Sequence, residues 1–240
     1  MERLRTEPDP HFVVARGLGL ATLRVKGYAG VDLDIAGGTA HALCGEDKSG
    51  KTELLLTLAG RMLPTEGKLL VDGIDASRLR GVDKLRKRAG LAFFAHVNDV
   101  ERGLRVRTVT SAELSLAGRP SNRAATEAYL ERWELLWAAD HLVGDLDAYS
   151  FDLLGIALGM ASDPQLLAVD DIESGLTDHQ TLKLVSLLRD LAHDTSTTVV
   201  CGVTDYDVAA QFDSASCLSD DARAQRDAYL RARAHQKEVA

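Results

Sequence analysis

The stretch Gly45-Glu46-Asp47-Lys48-Ser49-Gly50-Lys51-Thr52 decides how this chain is read. Glycine, four residues, then Gly-Lys-Thr is the pattern of a phosphate-binding loop. The glycines let the backbone curl until successive N–H groups point inward at phosphate oxygens. Lys51 has the reach for the β- and γ-phosphates, and the Thr52 hydroxyl is a Mg²⁺ ligand by type. A helix starting at this point adds its positive end to the same anion site. By residue frequencies the pattern arises by accident in roughly one chain of this length in a hundred. The alternative is a glycine-rich turn carrying a surface lysine, and the flanking sequence argues against it. Thr39-Ala40-His41-Ala42-Leu43-Cys44 reads as a buried strand, and Glu53 to Gly60 is rich in helix formers and closed by glycine.

The chain has 240 residues, 45% of them hydrophobic, enough for one large α/β domain with a substantial core. No apolar run approaches the length of a membrane span. The charged start, Met1 to Pro8, lacks the apolar stretch of a secretory signal, so a cytoplasmic location is expected. Cys44, Cys201 and Cys217 show no metal-ligand spacing, and Cys44 and Cys201 lie in apolar runs where a reduced thiol is usual. A net charge of −8 argues against broad electrostatic binding to nucleic acid. One basic cluster, from Arg78 through Lys84 to Arg88, reads as a solvated surface segment; an anionic partner is the alternative.

Along the chain, Phe12 to Arg16 and Val31 to Ile35 read as edge-type strands. Gly67 to Gly73 and Ala89 to Phe94 each hold a further strand. From Val106 to Ala161 the apolar spacing is helical, with Leu130, Trp133 and Trp137 on one helix face. That face reads as core packing, or alternatively as a docking surface. Strand character returns at Leu166-Leu167-Ala168-Val169-Asp170, which ends in a carboxylate. Asp178 to Asp194 is an amphipathic helix, Thr197 to Val203 a β-branched strand, and Ala222 to Ala240 a charged helical tail. His41 and His179 are assigned to structure.

Two separate regions resemble one family, the ATP-binding-cassette (ABC) transporter ATPases. Gly45 to Thr52, with its continuation through Leu63-Pro64-Thr65-Glu66-Gly67 to Asp72-Gly73, is similar to the family's Walker A region. Ala161-Ser162-Asp163-Pro164-Gln165 through Asp170 looks like the run into the Walker B strand, and Ser174-Gly175-Leu176 resembles the turn beyond. The resemblance spans about residues 12 to 218. It implies an α/β P-loop NTPase with a RecA-like core at 12–96 and 163–218. A helical subdomain at 97–162 and a C-terminal tail at 219–240 complete one nucleotide-binding domain. It further implies ATP and Mg²⁺ as cofactors, bound at residues 45–52 and Asp170, and a dimer that traps ATP between subunits.

The departures from the family pattern are chemical. Where the family carries Leu-Ser-Gly-Gly-Gln, this chain has Leu146-Asp147-Ala148-Tyr149-Ser150, whose Ala148 and Tyr149 would crowd a partner's γ-phosphate. Asp171 replaces the glutamate that polarises the attacking water and is one methylene shorter; it is either a general base or a spectator. Asp205 stands where a switch histidine is expected, and His96 where a glutamine is. No aromatic occupies the adenine-stacking position around Thr22 to Arg24, and Tyr28 is the nearest candidate. Glu46 and Asp47 place acids beside the phosphates, each costing on the order of 1 kcal/mol in binding, with Lys48 offsetting part.

The sequence therefore supports an ATP-binding subunit of an ABC-type membrane transport system with weak or partner-dependent hydrolysis. Its expected partners are a membrane-spanning subunit and a second cassette, as homodimer or heterodimer. The alternative is a non-hydrolysing regulatory or assembly module of the same fold. A role on nucleic acid is disfavoured by the acidic balance.

Overall fold

The computed structural model describes residues 9–21, 27–94 and 97–239, with side chains described up to residue 234. Met1 to Pro8, the Thr22 to Arg24 position and His96 lie outside the described residues.

Up to Leu91, the described residues supply all of one sheet, two separate strands of another, and two helices. Strands β1 (Val13–Gly19) and β2 (Val31–Ile35) pair antiparallel; β3 (Ala40–Cys44) leads into the Gly45–Thr52 loop and helix α1 (Lys51–Leu58). β4 (Glu66–Val71) and β5 (Ile74–Asp75) form a hairpin, followed by α2 (Leu79–Arg86) and β6 (Ala89–Leu91). Next come α3 (Val106–Leu116), α4 (Arg123–Arg132) and α5 (Ala148–Gly159). The chain closes with β7 (Leu166–Val169), α6 (Asp178–Thr195), β8 (Thr198–Val203), the short α7 (Tyr206–Ala209), β9 (Ser214–Cys217) and α8 (Asp220–Val239).

The five-stranded sheet is parallel, in the order β6-β7-β8-β3-β9, and the four-stranded sheet is antiparallel, in the order β2-β1-β4-β5. Every residue of β3, β7 and β8 is buried, as expected for a parallel sheet covered on both faces. Alternation along β8 sends Val199, Cys201 and Val203 into one core with α5 and α6, and Val200 into a second core with α1 and the antiparallel sheet. His41 lies within this packing on β3. Its ring nitrogens meet the Ser214 and Ser216 hydroxyls of β9, and burial holds its pKa down at about 4, so it is a neutral structural residue at pH 7. Cys44 and Cys201 are free and buried. Thr177 and Gln180 close a reciprocal cap at the start of α6, where His179 is exposed.

Three sequence expectations need correction. β1 is no edge strand: it lies between β2 and β4, and its flanking glycines serve a bulge in the pairing rather than an open edge. β6 stops at Leu91, because Phe94 N–H turns to the Asn98 side chain instead of a neighbouring strand. Leu130, Trp133 and Trp137 do not share a helix face. Glu134 adopts a left-handed conformation (φ 57°), which ends α4 after Arg132. Trp133 packs inward at 8% exposure, while Trp137 sits on a separate 3₁₀ turn at 58% exposure.

Candidate functional site

The parallel strands aim their C-terminal ends at one place. β8 lies between β7 and β3, so the loop after β3 and Asp170 after β7 flank the end of β8. Register puts Asp170 level with Gly202, since Val169 pairs with Cys201. That glycine is required by space: a Cβ there would lie 2.4 Å from Asp170 Oδ1. Ligand sites in open α/β sheets form at such strand ends.

The loop is tightly wound. Gly50, at φ 89°, is the N-cap of α1, and no side chain caps that helix. A Cβ at Gly50 would approach Gly27 O at 2.8 Å, so glycine is demanded by conformation and by contact. The unfilled first-turn N–H groups and the helix dipole together favour an anion. Lys51 is buried at 8% exposure, and its ammonium donates to Gly45 O and to Glu46 O, the latter at 3.1 Å. Ser49 Oγ is buried without a hydrogen-bond partner.

Thr52 Oγ1 donates to Asp170 Oδ2 at 2.5 Å, across 118 residues of sequence. Burial pushes the Asp170 carboxyl above its usual range; the Thr52 hydroxyl opposes that shift. A hydroxyl and a carboxylate side by side are hard oxygen donors. Mg²⁺ is characteristically held by one or two such protein groups together with phosphate oxygens and water, so the donor set fits it. Asp171, in a left-handed conformation (φ 52°), is exposed at the cleft; partial desolvation is the first cause raising its pKa, with Lys51 lowering it and Asp47 raising it.

These groups line a cleft of about 770 Å³ whose opposite wall comes from Phe93, just after β6, and from Arg102, Leu146, Ala148, Phe151 and Asp152 of the helical segment. Among the described residues, seven acidic and three basic side chains line it, so the cleft repels an anion except at the loop and wherever a cation is supplied. Glu46 turns part of its charge outward, its carboxylate accepting from Ser219 Oγ at 3.2 Å.

Several residues that the sequence did not single out belong to this region. Asp152 Oδ2 has no hydrogen-bond partner, and burial followed by repulsion from Asp171 raises its pKa to about 7. Glu173 accepts from the backbone N–H groups of Thr204 and Asp205, the second at 3.0 Å. Neither contact has a local signal, since each joins segments distant in sequence.

Two assigned positions behave differently from expectation. Tyr28 cannot stack on a base: it is 6% exposed, packed in the second core, with its hydroxyl donating to Thr57 Oγ1 at 2.8 Å. Asp205 is outside the cleft lining; its carboxylate accepts from Asp207 N–H at 2.8 Å and caps α7. The segment Leu146 to Ser150 does stand at a helix head, with Asp147 as N-cap of α5. The Asp147 carboxylate accepts from Ser150 N–H at 3.0 Å and from its hydroxyl at 2.7 Å, which holds its pKa below the usual range.

Comparison with known proteins agrees with this geometry. Residues 28–173 match the ABC transporter family. A methionine import ATP-binding protein of Caulobacter vibrioides is 30% identical over 184 residues, 75% of this chain and 55% of the relative. An uncharacterized ABC transporter ATP-binding protein of Mycobacterium tuberculosis is 32% identical, over 72% of this chain and 55% of that protein. The chain spans about half the length of the curated relatives it matches. Among solved structures, cbiO1 of Clostridium perfringens, part of the cbiONQ ABC transporter complex, superposes with a TM-score of 0.74 at 21% identity, covering 87% of this chain and 85% of that one. A dimeric ATP-binding cassette holding ADP and phosphate gives 0.73 at 23% identity, covering 87% and 94%. With a phosphate-type loop, a carboxylate at the neighbouring strand end and a family match over residues 28–173, this chain belongs to the ABC transporter family.

Proposed function

We propose that this chain is the ATP-binding subunit of an ABC-type import system, with weak or partner-dependent hydrolysis. The contact between Thr52 and Asp170 beneath the Gly45–Thr52 loop supports the reading, because it joins the phosphate loop to the carboxylate proposed as a metal ligand. Residues 45–52 would hold the phosphates of ATP, and Thr52 and Asp170 would ligate Mg²⁺, which supplies charge neutralisation and phosphate alignment. Lys51 would leave its loop carbonyls for the terminal phosphates. Asp171 is the candidate base for the attacking water, its pKa raised by partial desolvation and lowered by the charge of Lys51. The division into a core (12–96 and 163–218), a helical subdomain (97–162) and a tail (219–240) is part of the same proposal. So are a second cassette, a membrane-spanning partner subunit and a place at the inner face of the cell membrane. No helix among the described residues is long and apolar enough to cross a membrane.

A second reading, a nucleotide-binding module without turnover, is favoured by the capped head of α5. Asp147 fills the N–H group and hydroxyl of Ser150 that would otherwise face an anion. Mg·ATP titration and steady-state hydrolysis of the wild type, Lys51→Ala and Asp171→Glu separate these readings. Saturable binding that falls at least a hundredfold in Lys51→Ala, with slow turnover, is expected. Binding without turnover even in Asp171→Glu selects the second reading. Absence of saturable, Lys51-dependent binding overturns both.

A further inference from the structure

Of the cations lining the cleft, Lys48 and Lys51 belong to the phosphate loop itself, and Arg102 reaches it from the opposite wall. The Arg102 guanidinium lies over the Phe151 ring, 4.6 Å from its centroid. Phe151 is braced in turn by Phe93, ring centroids 4.6 Å apart. The backbone of Arg102 is also fixed, its carbonyl accepting from Gly144 N–H at 2.9 Å. None of the ion pairs formed among the described residues uses Arg102, although acidic side chains dominate the cleft. A guanidinium resting on an aromatic face keeps its N–H edge free for a second ligand, and that planar edge matches a phosphate in a two-point contact.

We propose that Arg102, presented by Phe151 across the cleft from the phosphate loop, is a further nucleotide-binding residue that contacts the terminal phosphate of a nucleoside triphosphate. The inference rests on the proposed nucleotide reading and adds to it an in-chain device for telling triphosphate from diphosphate. The loop alone addresses whatever phosphates it cradles. A cation on the facing wall meets charge that extends away from the loop, and the terminal phosphate brings that charge. Asp205 caps its own helix and offers no such contact. Phe151 holds the guanidinium in place before the ligand arrives, which limits the entropy lost on binding.

The test is Mg·ATP and Mg·ADP affinity, by calorimetry on the full chain, for wild type, Arg102→Ala, Arg102→Lys, Phe151→Leu and Lys51→Ala. Arg102→Ala is expected to weaken ATP tenfold or more and ADP less than twofold. Arg102→Lys should recover part of the ATP affinity by restoring the charge without the fork, and Phe151→Leu should weaken ATP a few-fold with ADP unchanged. Retained ADP binding in the Arg102 and Phe151 variants serves as their folding control, and Lys51→Ala, expected to lose both nucleotides, marks the loss of the loop itself. Equal loss for both nucleotides, or no loss for either, overturns the role of Arg102 while leaving the nucleotide reading intact. Failure of the wild type to bind either nucleotide overturns that reading and this inference with it.

Discussion

Helices α1 and α5 both begin beside the same cleft, and they treat their N-termini in opposite ways. The head of α1 is left bare: its N-cap is Gly50, no side chain closes the first turn, and a buried lysine lies across the loop. The head of α5 is filled by its own chain, with the Asp147 carboxylate taking the Ser150 N–H group and hydroxyl. A helix start can attract a phosphate or satisfy itself with an internal carboxylate, but the same donors cannot do both. For Leu146 to Ser150 the comparison adds an electrostatic consideration to the bulk of Ala148 and Tyr149. Asp147 brings negative charge and also consumes the groups through which a helix head binds an anion.

The largest effect that would sharpen this contrast is expected from Gly202→Ala. The added methyl group would enter the space of Asp170 Oδ1 and also approach Leu55 at 3.2 Å. A loss of about 1–3 kcal/mol in stability follows from overpacking, together with at least a tenfold loss of Mg-dependent nucleotide affinity. Chemical denaturation and ATP titration at varied Mg²⁺ check both; unchanged affinity would detach Asp170 from the α1 site.

Asp152→Asn tests the α5 side. The Asp152 pKa is raised in the fold from 3.8 to about 7, so the protonated form is the favoured one. Its cost is absent below about pH 4, grows as pH rises toward 7, and is then constant. The variant should accordingly gain on the order of 2 kcal/mol over wild type at pH 8 and nothing near pH 4. Parallel denaturation curves across that range measure the gain, and a pH-independent difference would contradict an ionised, unpartnered Asp152.

A smaller effect is expected of Asp147→Ala. Removing the cap should cost about 1 kcal/mol of stability and leave the ATP affinity of the isolated chain within twofold, since Asp147 does not line the cleft. A rise in ATP affinity with no loss of stability would break the comparison, because the carboxylate would then be an electrostatic obstacle rather than a cap.

Much of the α1 side was legible because its signals are local. Strand, loop and helix follow one another in sequence, and Asp170 closes an unbroken apolar run. The α5 side was legible as a helix head at Asp147, but its chemistry was not. Asp152, Phe151 and Arg102 become neighbours of the loop only when the helical segment folds over it, and periodicity records one helix at a time. The same limit hid Gly202, whose need for smallness comes from a carboxylate on another strand. Trp137 was misplaced because the turn at Glu134 uses a left-handed residue that is not glycine, leaving no mark in the pattern. Tyr28 was nearest in sequence to the base position, yet its hydroxyl finds Thr57 inside the core, where an aromatic ring gains more from burial.

Glu173 has a mechanical consequence. Its carboxylate straps the turn after Asp171 to the N–H groups of Thr204 and Asp205. The next residue, Tyr206, donates its N–H to Gln225 at 3.1 Å and stacks edge-on with Tyr229. The floor of the cleft and the final helix are thus linked like a crank and its rod. A displacement of the turn beside Asp171 must either stretch this linkage or swing α8 with it.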